Sequence, residues 1–348
     1  MENAFLKEIK EQPHAFKCCM DTLKSEDCKN SIGNIIELIK RRNIEKIVFT
    51  GMGSSYFVSR AISSILASDG MSAFTINAAE LLHCQYPILD KKVLLVCISQ
   101  SGESFEVVQL LKNISPEIPV VGITNVSDSS LAKRSNYVLY SMAGIELMTS
   151  TKTFITTYLV AYVLAKSITA KRINWNIIDR LDVEIGDIIN SGGYDEIANF
   201  LNRTDFIQVI ARGTDFAAAS QTALMFMEAT KTSASAMLGG EFRHGPLEMV
   251  NDKFVCIVFA HSASSTYSQM LHLVNDILGF GGRVLLVTNQ KVESSNKNLL
   301  QLMARCDDSE LFVIPSIIPT QLLVNFYAEK KNIIPGGFAH GAKVTSIE

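Results

Sequence analysis

The chain has 348 residues, 47% hydrophobic and 19% charged, which suits two domains with large cores and leaves no stretch of disordered composition. Its 32 Lys and Arg and 35 Asp and Glu give a net charge of −3 without a basic block, so no nucleic-acid partner is expected. Seven cysteines, at 18, 19, 28, 84, 97, 256 and 306, form no C-x-x-C. Cys97 and Cys256 sit inside apolar runs, so the reading is a reduced, cytoplasmic protein.

In chain order, "MENAFLKEIKEQPHAF" lacks the apolar stretch of a secretory signal, and residues 1–44 are expected to form an N-terminal helical segment. "KIVFTG" (46–51), "VLLVCIS" (93–99), "VVGIT" (120–124) and "YVLY" (137–140) read as strands. Helical spacing lies between them, as in "YFVSRAISSILAS". Continuous apolar strands alternating with helices predict a parallel sheet covered on both faces. "TYLVAYVLA" (157–165) is far shorter than the roughly 18–20 residues of a membrane span, and reads as a buried helix.

A helical connector follows, near Ile155 to Gly192, and the rhythm then repeats. "FIQVIARG" (206–213), "FVCIVFAHS" (254–262), "RVLLVTN" (283–289) and "LFVIP" (311–315) read as the strands of a second α/β unit. "GSSYFVSRAI" from Gly53 aligns with "GTDFAAASQT" from Gly213. "SQSGES" from Ser99 aligns with "AHSASS" from Ala260, at almost the same separation along the chain. The copies differ in that Ala263 replaces Gly102, so one half is expected to carry a ligand loop. The domain boundaries read as 45–170, a connector at 171–195, 196–333 and a tail at 334–348.

"SQSGES" stands between a predicted strand and a predicted helix at 104–113. Ligands of open α/β sheets bind at the carboxyl ends of strands, and a helix N-terminus offers N–H groups to an anion. Ser99, Ser101 and Ser104 can donate hydroxyls, Gly102 lets the backbone curl, and Ser54 and Ser55 end the first strand. Neither loop contains Lys or Arg. Two readings stand: a phosphate cradle of neutral donors, or a Ser-rich turn that caps a helix. "GMGSSY" fails the dinucleotide fingerprint because Tyr56 stands where the third glycine belongs, and there is no G-K-[ST].

"MEATKTSASAMLGGEFRHGPLEMV" (227–250) gathers Glu228, Lys231, Glu241, Arg243, His244 and Glu248 around Gly and Pro turns. Glu228 reads either as a general acid–base or as a solvated helix carboxylate, and His244 either as an acid–base or as a helix cap. No H-E-x-x-H or His/Cys cluster indicates a metal, and no G-x-S-x-G indicates a hydrolase nucleophile. The tail "IPGGFAHGAKVTSIE" (334–348) carries Phe338 and Val344, which suggest docking. Lys343 or His340 then enters a site, or Lys343 is a surface lysine. A desolvated lysine can form an imine with a sugar carbonyl.

These stretches together resemble the SIS (sugar isomerase) superfamily, from about Glu45 to Glu348. "SQSGES", "GEFRHGPLE", "MTSTKTF" and "AKVTSIE" resemble the two-SIS isomerase module of glucosamine-6-phosphate synthases and their stand-alone relatives, the sugar-phosphate deaminases and fructosamine-6-phosphate deglycases. The resemblance implies two tandem SIS domains, each a parallel sheet flanked by helices in a flavodoxin-like three-layer α/β sandwich. It implies phosphate binding by Ser54, Ser55, Ser99, Gln100, Ser101 and Ser104, with Gly53, Gly102, Thr151 and Ala342 against the substrate. It gives Glu228 the proton shuttle between C1 and C2, and His244 ring opening, supplied by a neighbouring subunit. Lys343, on a tail that reaches the active site, would contact the open-chain sugar. It also implies a homodimer with a shared site and no metal or organic cofactor.

Within these residues there is no room for a glutaminase domain or a helix-turn-helix, so glutamine-dependent synthesis is not expected of this chain alone. The expected activity is isomerisation and deamination of an amino-sugar 6-phosphate of the glucosamine 6-phosphate/fructose 6-phosphate type. "GEFRHGPLE" keeps open an Amadori, fructosamine 6-phosphate, deglycase. A non-catalytic sugar-phosphate sensor would need the serine loop but not Glu228 and His244.

Overall fold

The structure is a computed structural model that describes residues 2–201, 206–338, 340 and 342–345. The tail positions 339, 341 and 346–348 and the stretch 202–205, inside the second expected domain, lie outside the described residues. The chain divides into two compact units. One comprises Met1–Pro13, Leu147–Thr151 and Trp175–Ala339, the other His14–Glu146, Lys152–Asn174 and His340–Glu348.

The second of these holds a five-stranded parallel sheet. Its strands are β1 (Lys46–Gly51), β2 (Ala73–Asn77), β3 (Val93–Ile98), β4 (Val120–Thr124) and β5 (Tyr137–Tyr140), in the order β2-β1-β3-β4-β5. β3 is buried at all six positions, as a central strand covered on both faces must be. Helices Ser54–Ser68 and Phe105–Asn113 follow β1 and β3, and Val107, Leu110 and Leu111 of the latter join Val48, Leu95 and Val120 in one core. Helix Lys152–Ile168 is buried from Lys152 through Lys166, and packs on Ser54–Ser68. An apolar circumference of this kind belongs to a core helix.

The other unit repeats the plan. β6 (Phe206–Ala211), β7 (Ser233–Leu238), β8 (Val255–Ala260), β9 (Arg283–Thr288) and β10 (Leu299–Met303) run parallel in the order β10-β9-β8-β6-β7. Read from the other edge, this is the order of the first sheet, the doubly wound 2-1-3-4-5 arrangement. The buried helix Val313–Lys330 packs against Phe216–Thr230. Asn3 and Gln12 donate from the N-terminal end of the chain to Asn325 and Gln321 of that buried helix, at 2.9 and 2.7 Å.

One strand expectation is overturned. "LFVIP" (311–315) is not a strand, because Val313 begins helix Val313–Lys330, with Pro315 in its first turn. A five-residue apolar run has no period that separates strand from buried helix, and proline is tolerated in a first turn. The fifth strand of this sheet is Leu299–Met303 instead. All seven cysteines are free thiols. Among the described residues, no helix is long and apolar enough to cross a membrane, and no group of three His, Cys, Asp or Glu is placed to hold a metal ion.

Candidate active site

In the first sheet the strand order reverses between β1 and β3, and the serine segments leave the carboxyl ends of these two strands. Gly51 brings them together. A Cβ at Gly51 would lie 2.7 Å from the Ile98 carbonyl oxygen and 2.9 Å from Ser55 Cβ, so only glycine permits this closeness. Sequence reading passed over Gly51, although the glycine pair in "GMG" was the available signal. Gly53 is the N-cap of helix Ser54–Ser68, with φ of 50° and no side-chain cap, which leaves its first-turn N–H groups without a capping side chain.

The Ser99–Ser104 loop is held from within. Gly102 N–H donates to the buried Ser99 Oγ (3.1 Å), and Glu103 N–H donates to Ser101 Oγ (3.1 Å). Ser99 Oγ lies 3.1 Å from Ser104 Oγ. Gln100 O accepts from Asn125 N–H (3.0 Å) and Thr124 Oγ1 (3.2 Å), and Glu103 accepts from Ser130 N–H and Oγ (2.6 and 2.8 Å). Ser104 is the N-cap residue of helix Phe105–Asn113, yet its side chain makes no capping bond. The helix-capping reading therefore does not account for this hydroxyl. It stays beside Ser99 at the positive end of a nine-residue helix, an arrangement that suits an anion with several oxygens.

The tail meets the same unit. Phe105 N–H, the first of its helix, donates to Thr345 O (3.0 Å). Lys343 Nζ lies 2.7 Å from Glu146 Oε2, with the lysine side chain 19% exposed and the glutamate side chain fully buried. The Glu146 carboxylate also accepts from Thr153 N–H (3.1 Å) and Thr153 Oγ1. Ala342 and His340 are exposed.

The other unit positions the acid–base candidates. Glu228 lies near the end of helix Phe216–Thr230, half-buried, and its carboxylate accepts from the hydroxyl of the buried Thr149. Lys231 ends this helix in a left-handed conformation (φ 54°), and its ammonium donates to the Glu228 carbonyl and to Gly337 O, the latter at 2.6 Å. Gln221, two helical turns before Glu228, donates to Ser150 O (3.1 Å), and Thr151 is fully buried. Thr149 and Glu146 were not singled out in the sequence, and only their side-chain partners reveal them.

His244 ends the short helix Gly239–Arg243 and is solvent-exposed, while Arg243 is paired with Asp276 (2.6 Å). Thus Ser99, Gln100, Ser101, Gly102 and Ser104, with Gly53, Ser54 and Ser55, cluster at the ends of β3 and β1, and Lys343 sits on the same unit. Glu228, Thr151 and His244 belong to the other.

The matching point of the second sheet is built differently. His261, after β8, is buried. Its Nδ1 accepts from Ala263 N–H (3.1 Å), and its Nε2 lies 3.0 Å from Cys306 O. Burial lowers its pKa, which favours the neutral ring. Asp215, after β6, is pushed up to about 8 by burial, while a bond from the His261 backbone N–H opposes the rise. An imidazole and a neutral carboxyl stand here beside the hydroxyls of Ser262, Ser264 and Thr266.

The model of the family described as SIS domain matches residues 40–167 and 200–325. The isomerizing glutamine–fructose-6-phosphate aminotransferases of Sulfolobus acidocaldarius and Pyrococcus horikoshii are each 30% identical to this chain. Their alignments cover 99% and 100% of it and 56% and 58% of their own lengths. The chain thus spans little more than half the length of these curated relatives.

Solved structures share the fold. The C-terminal domain of glucosamine-fructose-6-phosphate aminotransferase from Francisella tularensis superposes with a TM-score of 0.80 at 23% identity, covering 96% of this chain and 97% of its own. The tagatose-6-phosphate ketose/aldose isomerase of Escherichia coli gives 0.79 at 19%, covering 97% and 96%. The glucosamine-6-phosphate deaminase of Thermotoga maritima gives 0.75 at 21%, covering 98% and 99%.

Proposed function

The chain belongs to the SIS-domain family, and on that premise we propose that it is a phosphosugar isomerase/deaminase acting on an amino-sugar 6-phosphate of the glucosamine 6-phosphate/fructose 6-phosphate type. The observation that carries the reading is the loop Ser99–Ser104, whose hydroxyls surround a helix N-terminus and whose cap residue leaves its hydroxyl uncommitted to the helix. Such a site suits a phosphate dianion held without a cation. Its relatives' names support the substrate class.

The chemistry follows from the residue types. With the phosphate anchored, His244 transfers a proton to the ring oxygen as the C1 hydroxyl is deprotonated, which opens the ring to an aldehyde. Glu228 removes the C2 proton, made acidic by the adjacent carbonyl, and returns it to C1. The C2 amine thereby becomes an imine. Water adds to it, ammonia leaves, and fructose 6-phosphate remains. The hydroxyl of Thr149 fixes the shuttle carboxylate, and Lys343 contacts the carbonyl end of the open chain. His244 is exposed in a single chain, which supports its service to a second copy in a homodimer. Seven free thiols fit a reducing cytoplasm.

The test is incubation with glucosamine 6-phosphate while ammonia and fructose 6-phosphate are followed together. Joint release in equal amounts is expected, with a loss of at least about 10³-fold in kcat for Glu228→Gln and retained binding of the sugar phosphate. Turnover that survives Glu228→Gln removes the carboxylate from the mechanism. "GEFRHGPLE" favours a second reading, deglycation of an Amadori amino acid 6-phosphate, which would release a free amino acid instead of ammonia.

A further inference from the structure

We propose that Glu146 is the positioning residue for Lys343, the clasp that holds the tail lysine in one frame with the phosphate loop. The proposal rests on the isomerase/deaminase reading for its catalytic consequence, while the clasp itself stands on geometry.

A fully buried carboxylate is costly unless several donors satisfy it. Glu146 has Thr153 N–H and Oγ1 from the start of the helix that follows, and then the Lys343 ammonium at 2.7 Å. A lysine loses rotamer entropy when its ammonium is fixed, so a free surface lysine would not be expected to settle there. The segment leading to Glu146 is tied to the phosphate loop by one residue, Asn125, through its backbone on one side and its side chain on the other. Asn125 N–H donates to Gln100 O (3.0 Å), its Oδ1 accepts from Ala143 N–H (2.8 Å), and its Nδ2 donates to Gly144 O (2.7 Å).

Two residues beyond Lys343, Thr345 O accepts from Phe105 N–H, directly after Ser104. These hydrogen bonds and the chain between Gly144 and Glu146 therefore close a circuit from Gln100 through Asn125, Glu146, Lys343 and Thr345 to Phe105 and back into the loop. The side chain that meets the sugar's carbonyl end is thus mounted on the frame that grips its phosphate. A misplacement of about 1 Å in such a frame can cost 10²-fold in rate.

The test combines kinetics with hydrogen exchange on the full chain. Glu146→Gln is expected to lower kcat about 10–10²-fold with little change in KM, because the phosphate grip is untouched. Lys343→Ala is expected to cost at least as much, and the double variant no more than Lys343→Ala alone. Costs that multiply in the double variant overturn the proposal, since Glu146 would then act independently of the lysine.

Exchange at the Phe105 amide supplies a readout that needs no activity. It should quicken at least tenfold in Glu146→Gln and in Lys343→Ala, while amides of β3 keep wild-type protection. Lys343→Ala leaves the Glu146 side chain in place, and so serves if Glu146→Gln does not fold. Unchanged protection at Phe105 overturns the clasp. A wild-type protein that turns over no amino-sugar 6-phosphate sinks the functional reading while leaving the exchange result to judge the clasp.

Discussion

Gly102 shows how much of the phosphate loop depends on one missing side chain. Its φ is 67°, and a Cβ there would lie 2.3 Å from Ser129 Oγ and 3.1 Å from Thr124 Oγ1. Ser129 caps the turn of helix Ser130–Arg134, whose first residue binds Glu103, so the clash would spread to the anchors of the loop. Gly102→Ala should lower stability by more than about 1 kcal/mol from the left-handed backbone alone. Denaturant unfolding would measure that loss, and calorimetric titration should find sugar-phosphate affinity reduced at least tenfold. A variant with wild-type affinity would show that the loop tolerates the side chain and that the hydroxyl cluster is not the phosphate site. The second loop has Ala263 at the aligned position, and its N–H donates to the ring of His261.

Strands and loops differ in how plainly they announce themselves. The central strands β1, β3, β4, β6, β8 and β9 are continuous apolar runs and could be read directly. Three of the four edge strands could not. β2 is "AFTIN" and β7 is "SASAML", each with a single buried position, and the space of β10 was assigned to an apolar run that became a helix. An edge strand has one neighbour and partial cover, so its burial does not require the uninterrupted hydrophobicity that marks a centre strand.

The loops after β6 and β8 carry a prediction of their own. Asp215 titrates from 3.8 in the open chain to about 8 in the fold, where burial favours the neutral acid. Between those values the folded state holds one proton more than the unfolded state, so this group lowers stability as pH rises from about 4 to about 8. Asp215→Asn should remove that slope. Melting temperatures of the variant should gain on wild type between pH 5 and pH 8, and parallel profiles would show that the carboxyl is already ionised in the fold.

Duplication governs the molecule as a whole. Both units wind the same strand order, and each has its reversal point where ligands of such sheets bind, but the second point adds the buried His261 and Asp215, which have no counterpart in the first. Folding also buries four of the seven cysteines, two of them on central strands. Burial pushes the thiols of Cys97 and Cys306 up to about 12 and raises those of Cys19 and Cys256 as well. Exposed Cys84 is raised chiefly by the neighbouring Glu80 carboxylate. Since the thiolate is the reactive species, a disulfide reagent at pH 8 should label no more than Cys18, Cys28 and Cys84 in the native protein, and all seven after unfolding. Rapid labelling of Cys97 or Cys256 in native conditions would mean that the central strands open.

Local patterning was sufficient for the α/β class, the repeat and the serine loop, because each is written in contiguous residues: apolar runs, a recurring spacing, hydroxyls around one glycine. The partners that arm the candidate site are of another kind. Gly51 matters through the carbonyl of Ile98 and the side chain of Ser55, Thr149 through Glu228 far along the chain, and Glu146 through Lys343 in the tail. Glu146 stands outside the quoted motifs, and Thr149, though inside "MTSTKTF", has nothing in that run that names Glu228 as its partner. A buried carboxylate acquires meaning only from the donors that folding brings to it, and those donors are set by long-range packing, which no window of neighbouring residues encodes.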